Sequence, residues 1–182
     1  RLTSGRPVSP SIRPRRHAVR LTALALVPLL VACSACSSEQ QACGDVERLI
    51  DSSSLHVLPG AEVTYEHSPP ASGPHQLPAP SAGVHTEPIG EPLQVAAVEV
   101  GMVIVQYQPT VSPPAVAALE ALAVADGVIV APAGRAFDDD AEVAHTSWGR
   151  RQLCSSADLD AAAAFIEAYQ GAVFIDHENG SD

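Results

Sequence analysis

The sequence predicts an α/β fold: a single small domain with a mixed sheet containing a βαβ unit, helices packed on it, and a long proline-rich loop. Two observations carry the sheet and a third carries the loop. Residues 102–105 and 128–131 are short, unbroken apolar runs of the kind that form strands buried on both faces. Between them, residues 113–126 open with Ser112 as a cap and Pro113 at the first helical position, and Gly127 closes them. Strand, helix and strand within about 30 residues make a βαβ unit, with parallel strands and a right-handed connection. The loop spans 68–92, where seven of the chain's sixteen prolines fall between 69 and 92. Proline lacks a donor and disfavours helix in the residue before it. Loops of that length are usually functional or mobile.

The remaining elements follow in chain order. Residues 45–54 suit a short helix that ends in Ser52, Ser53 and Ser54. In 61–67, Val63 and Tyr65 alternate with Thr64 and Glu66, as a half-buried strand does. Residues 93–107 are the most apolar part of the body, and their second half is the first strand of the βαβ unit. Val116, Leu119, Leu122 and Ala123 form the apolar face of the crossover helix. Residues 143–148 read as a further strand. Ser155 followed by Asp158 resembles a capping box, opening a helix with Leu159, Ala163 and Ile166 on one face and Gly171 at its end. Residues 173–175 suit a final edge strand.

Charge divides the 182 residues in two. Every basic residue is Arg, and six of the ten precede residue 21, whereas all 21 acidic residues lie at Glu39 or later. The first twenty residues therefore carry +6 and the rest −17. So acidic a body repels phosphate backbones, which excludes nucleic acid as a partner. Aromatic residues are only 4%, so the core rests on Val, Leu, Ile and Ala.

Residues 1–32 read as a signal peptide. Arginines lead into a 12-residue apolar run, 21–32, which is too short for a bilayer span and has the length of a secretory h-region. Leu30-Val31-Ala32-Cys33 then resembles the lipobox of bacterial lipoproteins, whose Cys takes a diacylglycerol and becomes the new N-terminus. Cys33 is the expected lipidation site, 33–44 a polar tether and 45–182 the folded domain. The expected location is the extracytoplasmic face of a bacterial cell membrane, held by the lipid anchor. Two or more acyl chains suffice for that, at about 0.8 kcal/mol per buried methylene.

Export implies an oxidising compartment. With Cys33 lipidated, Cys36, Cys43 and Cys154 remain. Pairing Cys43 with Cys154 closes a loop of about 110 residues and stabilises by roughly 4–5 kcal/mol on chain entropy. Cleavage before Cys36 is the alternative, with Cys33 then at −3 in a weaker lipobox. No second CxxC or matching His exists for a zinc ribbon.

Tyr65, the segment Pro69-Pro70-Ala71-Ser72-Gly73-Pro74-His75, Gly83, Val98-Glu99-Val100-Gly101, Tyr107, Ile129-Val130-Ala131-Pro132, Trp148-Gly149-Arg150, Cys154, Phe165-Ile166 and Tyr169 together resemble the bacterial family called domain of unknown function 3105. The resemblance covers roughly residues 43–170, with 69–75 its most specific part. It implies secretion or membrane tethering and no established activity. The family typically shows His-Ser-Leu-Glu-His-Gly where this chain has Ala96-Ala97-Val98-Glu99-Val100-Gly101. Glu and Gly remain and both histidines are gone.

The candidate metal ligands are therefore His75, His85 and Glu99, since imidazole and carboxylate suit zinc or copper. His67, His75 and His85 lie on and around the proline loop, with Glu66 and Glu87 beside two of them. Glu99 stands alone among apolar residues, where a cation or hydrogen bonds must hold its charge. Asp138-Asp139-Asp140 lacks the glycine of a calcium loop: the sixth position is Val143. There is no G-x-S-x-G, H-E-x-x-H or phosphate loop, and Ser72 near His75 is no triad by itself. The expectation is a non-catalytic lipoprotein domain that binds a protein or small ligand through its proline-rich loop and needs no cofactor. A metal-binding or degenerate enzymatic domain using His75, His85 and Glu99 is the alternative.

Overall fold

The computed structural model describes residues 41–49 and 54–172. In chain order the elements are β1 (Glu47–Arg48), β2 (His56–Val57), β3 (His75–Gln76), β4 (Gly83–Val84), α1 (Glu91–Glu99), β5 (Val103–Tyr107), α2 (Pro113–Glu120), β6 (Val128–Pro132), β7 (Val143–Ser147), β8 (Arg150–Cys154) and α3 (Leu159–Tyr169). Six strands form a mixed sheet in the order β1-β8-β7-β5-β6-β4, and β2 and β3 pair separately. The fold is the α/β domain that the sequence predicts.

The βαβ unit is present. β5 and β6 run parallel with Val103 opposite Val128, and α2 crosses between them. The crossover helix is shorter than 113–126: α2 stops at Glu120 and a 3₁₀ turn, Ala121–Val124, finishes it. Ser112 occupies the cap position, but its side chain makes no cap hydrogen bond; Pro113 and Pro114 open the helix. β7 lies antiparallel to β5 and β8 antiparallel to β7.

Strand alternation splits the core. Val105, Val128, Val130 and Val143 face one side, where Leu119 of α2 and Ile166 of α3 cover them. Ile104, Ile129 and Ala131 face the other, covered by Ala97 and Val98 of α1 with Ile89 and Trp148. Both faces are buried, which is why these strands read as continuous apolar runs.

Several expectations are corrected. Residues 45–49 form no helix: Glu47–Arg48 pair with β8, Glu47 opposite Arg151. The Cys43–Cys154 disulfide, with Cα atoms 3.9 Å apart, ties this segment to β8. Its backbone groups therefore meet strand partners, as in the bonds from Gly44 N to the Leu153 carbonyl and from Leu49 N to the Gly149 carbonyl. Residues 61–67 form no strand. Val63 and Tyr65 are indeed half-buried and Thr64 and Glu66 exposed, but no strand lies alongside to complete a ladder.

The proline-rich segment is not one long open loop. Residues 68–73 are buried, β3 and β4 follow, and its last two residues, 91–92, already belong to α1. Their polar groups are paired with the sheet's end: Ser68 Oγ donates to the Ala136 carbonyl and Gly149 N to the Ala71 carbonyl. Ser68–Pro69 and Leu77–Pro78 are cis. At the C-terminal end Asp158, not Ser155, caps α3, its Oδ1 accepting from Ala161 N at 2.9 Å. Ala162 and Phe165 are the buried positions of α3, whereas Leu159 and Ala163 are exposed. Lipidation at Cys33, the signal peptide, Cys36 and the strand 173–175 lie outside the described residues.

Candidate metal centre

His75 owes its position to Gly73. Gly73 has φ of 121°, a region open to glycine and hardly to other residues, and its carbonyl turns back onto His75 Nδ1 at 3.1 Å. A carbonyl can only accept, so Nδ1 carries a proton and Nε2 is the ring nitrogen left to face a further partner. The ring is fully buried, edge-on to Trp148 with centroids 6.4 Å apart.

Pairing of β2 with β3 sets His56 directly beside His75, and the two rings meet edge to face at 4.7 Å. α1 delivers the third group. Gly101, with φ of 87°, ends α1 in a Schellman turn: Gly101 N donates to the Val98 carbonyl and Met102 N to the Ala97 carbonyl. Glu99 therefore lies in the last helical turn. Its Oε2 is 2.7 Å from His75 Nε2 and 3.5 Å from His56 Nε2. Side-chain exposure rises from 0% at His75 through 21% at Glu99 to 56% at His56, so the cluster opens to solvent on the His56 side.

The electrostatics of this cluster are incomplete. The Glu99 oxygen, though 2.7 Å from Nε2, lies outside hydrogen-bond geometry, and Nε2 is a buried atom without a hydrogen-bond partner. In the neutral ring Nε2 offers a lone pair, which the carboxylate repels unless a proton or a metal ion stands between them. Helix α1 adds to the mismatch, because its last turn carries this acid and no basic residue, at the negative end of the helix dipole. One ligand atom from each of the three side chains falls within 4.8 Å of the others. Tetrahedral N and O ligands about 2.0–2.2 Å from zinc stand about 3.3–3.5 Å apart. The His56–Glu99 separation has that value, and the His75–Glu99 contact reaches it by opening about 0.6–0.8 Å.

Of the sequence-derived ligands, His75 and Glu99 come together and His85 does not join them. His85 follows edge strand β4, where its backbone N–H meets the Val130 carbonyl and its Nε2 contacts the Ser81 carbonyl at 2.9 Å. His67 is also elsewhere, 3.5 Å from Asp138 Oδ2. The residue that sequence reasoning missed is His56, which no ligand spacing marks; only parallel pairing across the intervening 18 residues reveals it.

A second charged cluster centres on Arg151, which is 3% exposed. Its Nε and Nη2 donate to Glu47 Oε2, and its Nη1 donates to Asp138 Oδ2 at 2.6 Å and to the Ser68 carbonyl at 3.1 Å. Burial alone would raise the pKa of Asp138, but the Arg151 and Ser68 N–H hydrogen bonds win and hold it below the ordinary carboxylate range.

Fold and site together define a small α/β domain with a candidate N₂O ligand set at the seam between a helix C-terminus and a two-stranded ribbon. A family model described as "Protein of unknown function (DUF3105)" matches residues 56–181, and the chain belongs to that family. No curated protein and no solved structure matches it.

Proposed function

We propose that this is a lipid-anchored, extracytoplasmic metal-binding domain that takes one zinc- or copper-class divalent ion at His56, His75 and Glu99. The observation that carries it is the buried His75 Nε2, oriented through Nδ1 by Gly73, which faces the Glu99 carboxylate at 2.7 Å without a hydrogen bond and shares one three-ligand cluster with it and His56. A divalent cation satisfies all three groups at once. Three protein ligands leave a coordination position open toward the exposed His56 side, for water or a partner's donor atom. The lipobox at Leu30-Val31-Ala32-Cys33 supports the anchor, and among the described residues no helix is long and apolar enough to cross a membrane.

Calorimetric titration with zinc and copper tests the site. The wild type is expected to bind one equivalent, His75→Ala to lose binding, His56→Ala to weaken it and His85→Ala to leave it unchanged. Absence of binding in the wild type, or loss in His85→Ala alone, would overturn the assignment. For the anchor, Cys33→Ala is expected to release the protein from the membrane fraction or leave it unprocessed; unchanged retention with normal processing rejects it.

A further inference from the structure

Which metal ion the histidine cluster prefers depends on which of its three side chains can move. His75 is fixed: its ring is fully buried, Nδ1 lies against the Gly73 carbonyl at 3.1 Å, and Trp148 stands edge-on to it. Glu99 is mostly buried and sits on the last turn of α1, just before the Gly101 turn that ends the helix. His56 is the free member, more than half exposed on a two-residue strand.

The fixed pair therefore sets the angle at the metal. His75 Nε2 and Glu99 Oε2 are 2.7 Å apart. With bonds of about 2.0–2.1 Å to a divalent ion, that separation subtends an angle of about 80–85°. A tetrahedral ion asks for about 109° and must drive a close-packed ring or a helix end outward to obtain it. A tetragonal ion takes the pair nearly as it stands, as cis ligands at about 90°. The contact left to adjust is that of His56, 3.5 Å from Glu99, and an exposed side chain can change rotamer without disturbing its neighbours.

Donor chemistry narrows the ion further. Two imidazoles and a carboxylate in a tetragonal array suit copper(II) or nickel(II), and copper(II) stands highest in the divalent affinity order. Among the described residues the cluster holds no thiolate, the soft ligand that selects copper(I), and Cys43 and Cys154 are joined in their disulfide.

We propose, resting on the metal-binding reading above, that the ion is copper(II) in a tetragonal site, with His75 and Glu99 as the rigid cis pair and His56 as the adjustable third ligand. The fourth equatorial position is left to water.

The test titrates the full chain with copper(II), nickel(II) and zinc, singly and in competition, and records the electron paramagnetic resonance spectrum of the copper(II) adduct. One equivalent of copper(II) is expected to bind and to displace the other two ions, with an axial, tetragonal spectrum split by two imidazole nitrogens. In His56→Ala, whose exposed position spares the fold, the splitting is expected to fall to one nitrogen and copper(II) affinity to drop at least tenfold. A tetrahedrally distorted copper(II) spectrum, or zinc or nickel(II) bound at least as tightly as copper(II), overturns the copper assignment and leaves the metal-binding reading standing. A spectrum unchanged in His56→Ala overturns the ligand set. Binding of none of the three ions overturns the metal-binding reading, and the copper assignment with it.

Discussion

Two charged clusters grip opposite ends of the same buried segment, 68–75, and they are finished to different degrees. At the Ser68 end Arg151 points four hydrogen bonds at two carboxylates and a carbonyl, and Asp138 also accepts from Ser68 N. At the His75 end a carboxylate faces a buried ring nitrogen that makes no hydrogen bond, with a second imidazole 3.5 Å away. Each end buries one polar member, Arg151 or His75, and only Arg151 meets a complete set of hydrogen-bonded partners. A closed network fixes structure, whereas one lacking a single positive charge is built to receive it.

The largest expected effect sharpens the Arg151 end. The disulfide holds β1, and with it Glu47, against β8 across a sequence separation of 111. The double substitution Cys43→Ala with Cys154→Ala is expected to lose about 4–5 kcal/mol in chemical denaturation. Next, Arg151→Met leaves Glu47, Asp138 and the Ser68 carbonyl without their cation, and a loss of about 3–5 kcal/mol is expected by the same measurement. Glu99→Gln turns the comparison around. In metal-free protein its stability should stay within about 1 kcal/mol of wild type or rise, since it removes an acid from a helix C-terminus that has no basic residue in its last turn. A loss as large as that of Arg151→Met would show the two clusters to be alike. Any zinc-dependent rise in melting temperature should vanish in Glu99→Gln, because ligation to the native state is its source.

The smallest effects are in pH. Asp138 is held below its ordinary range, so its contribution is present above the unfolded carboxylate pKa of about 3.9 and is lost as pH falls below that value. Burial pushes the His145 imidazole below its ordinary pKa, against the opposing hydrogen bond that its Nδ1 donates to Gln152 Oε1. The unfolded chain then binds a proton that the native state refuses, so stability falls as pH drops below about 6.5, by at most about 1.4 kcal/mol per pH unit. Denaturation midpoints between pH 5 and 7 should show this slope, and His145→Phe should flatten it.

The βαβ unit was legible because apolar runs, proline at the helix start and Gly127 at its end all agree. An oxidising compartment, with Cys36 set aside in the polar tether, pointed to the bridge between Cys43 and Cys154. Helix α1 escaped because Val95, Ala96, Ala97 and Val98 are all buried, leaving no polar face and hence no helical period. β8 was hidden by its composition, Arg150-Arg151-Gln152-Leu153-Cys154, whose buried polar residues are tolerated only through partners far along the chain. His56 was invisible for the same reason. Two thirds of the candidate metal set was in hand, and the last ligand depended on a long-range strand pairing that no local pattern encodes.

Covalent closure between Cys43 and Cys154 also determines where mechanical force travels. Tension applied to the chain upstream of Cys43 crosses the disulfide directly into β8 and continues toward α3, bypassing everything between. Residues 44–153, which include His56, His75, Glu99 and most of the central sheet, form a slack loop with respect to such a pull. A two-residue strand such as β1 would otherwise be the first element to peel. With the bridge closed, tugging on the N-terminal side leaves ligand geometry undisturbed; with it reduced, the same tug acts on β1 and then on the ribbon that holds His56.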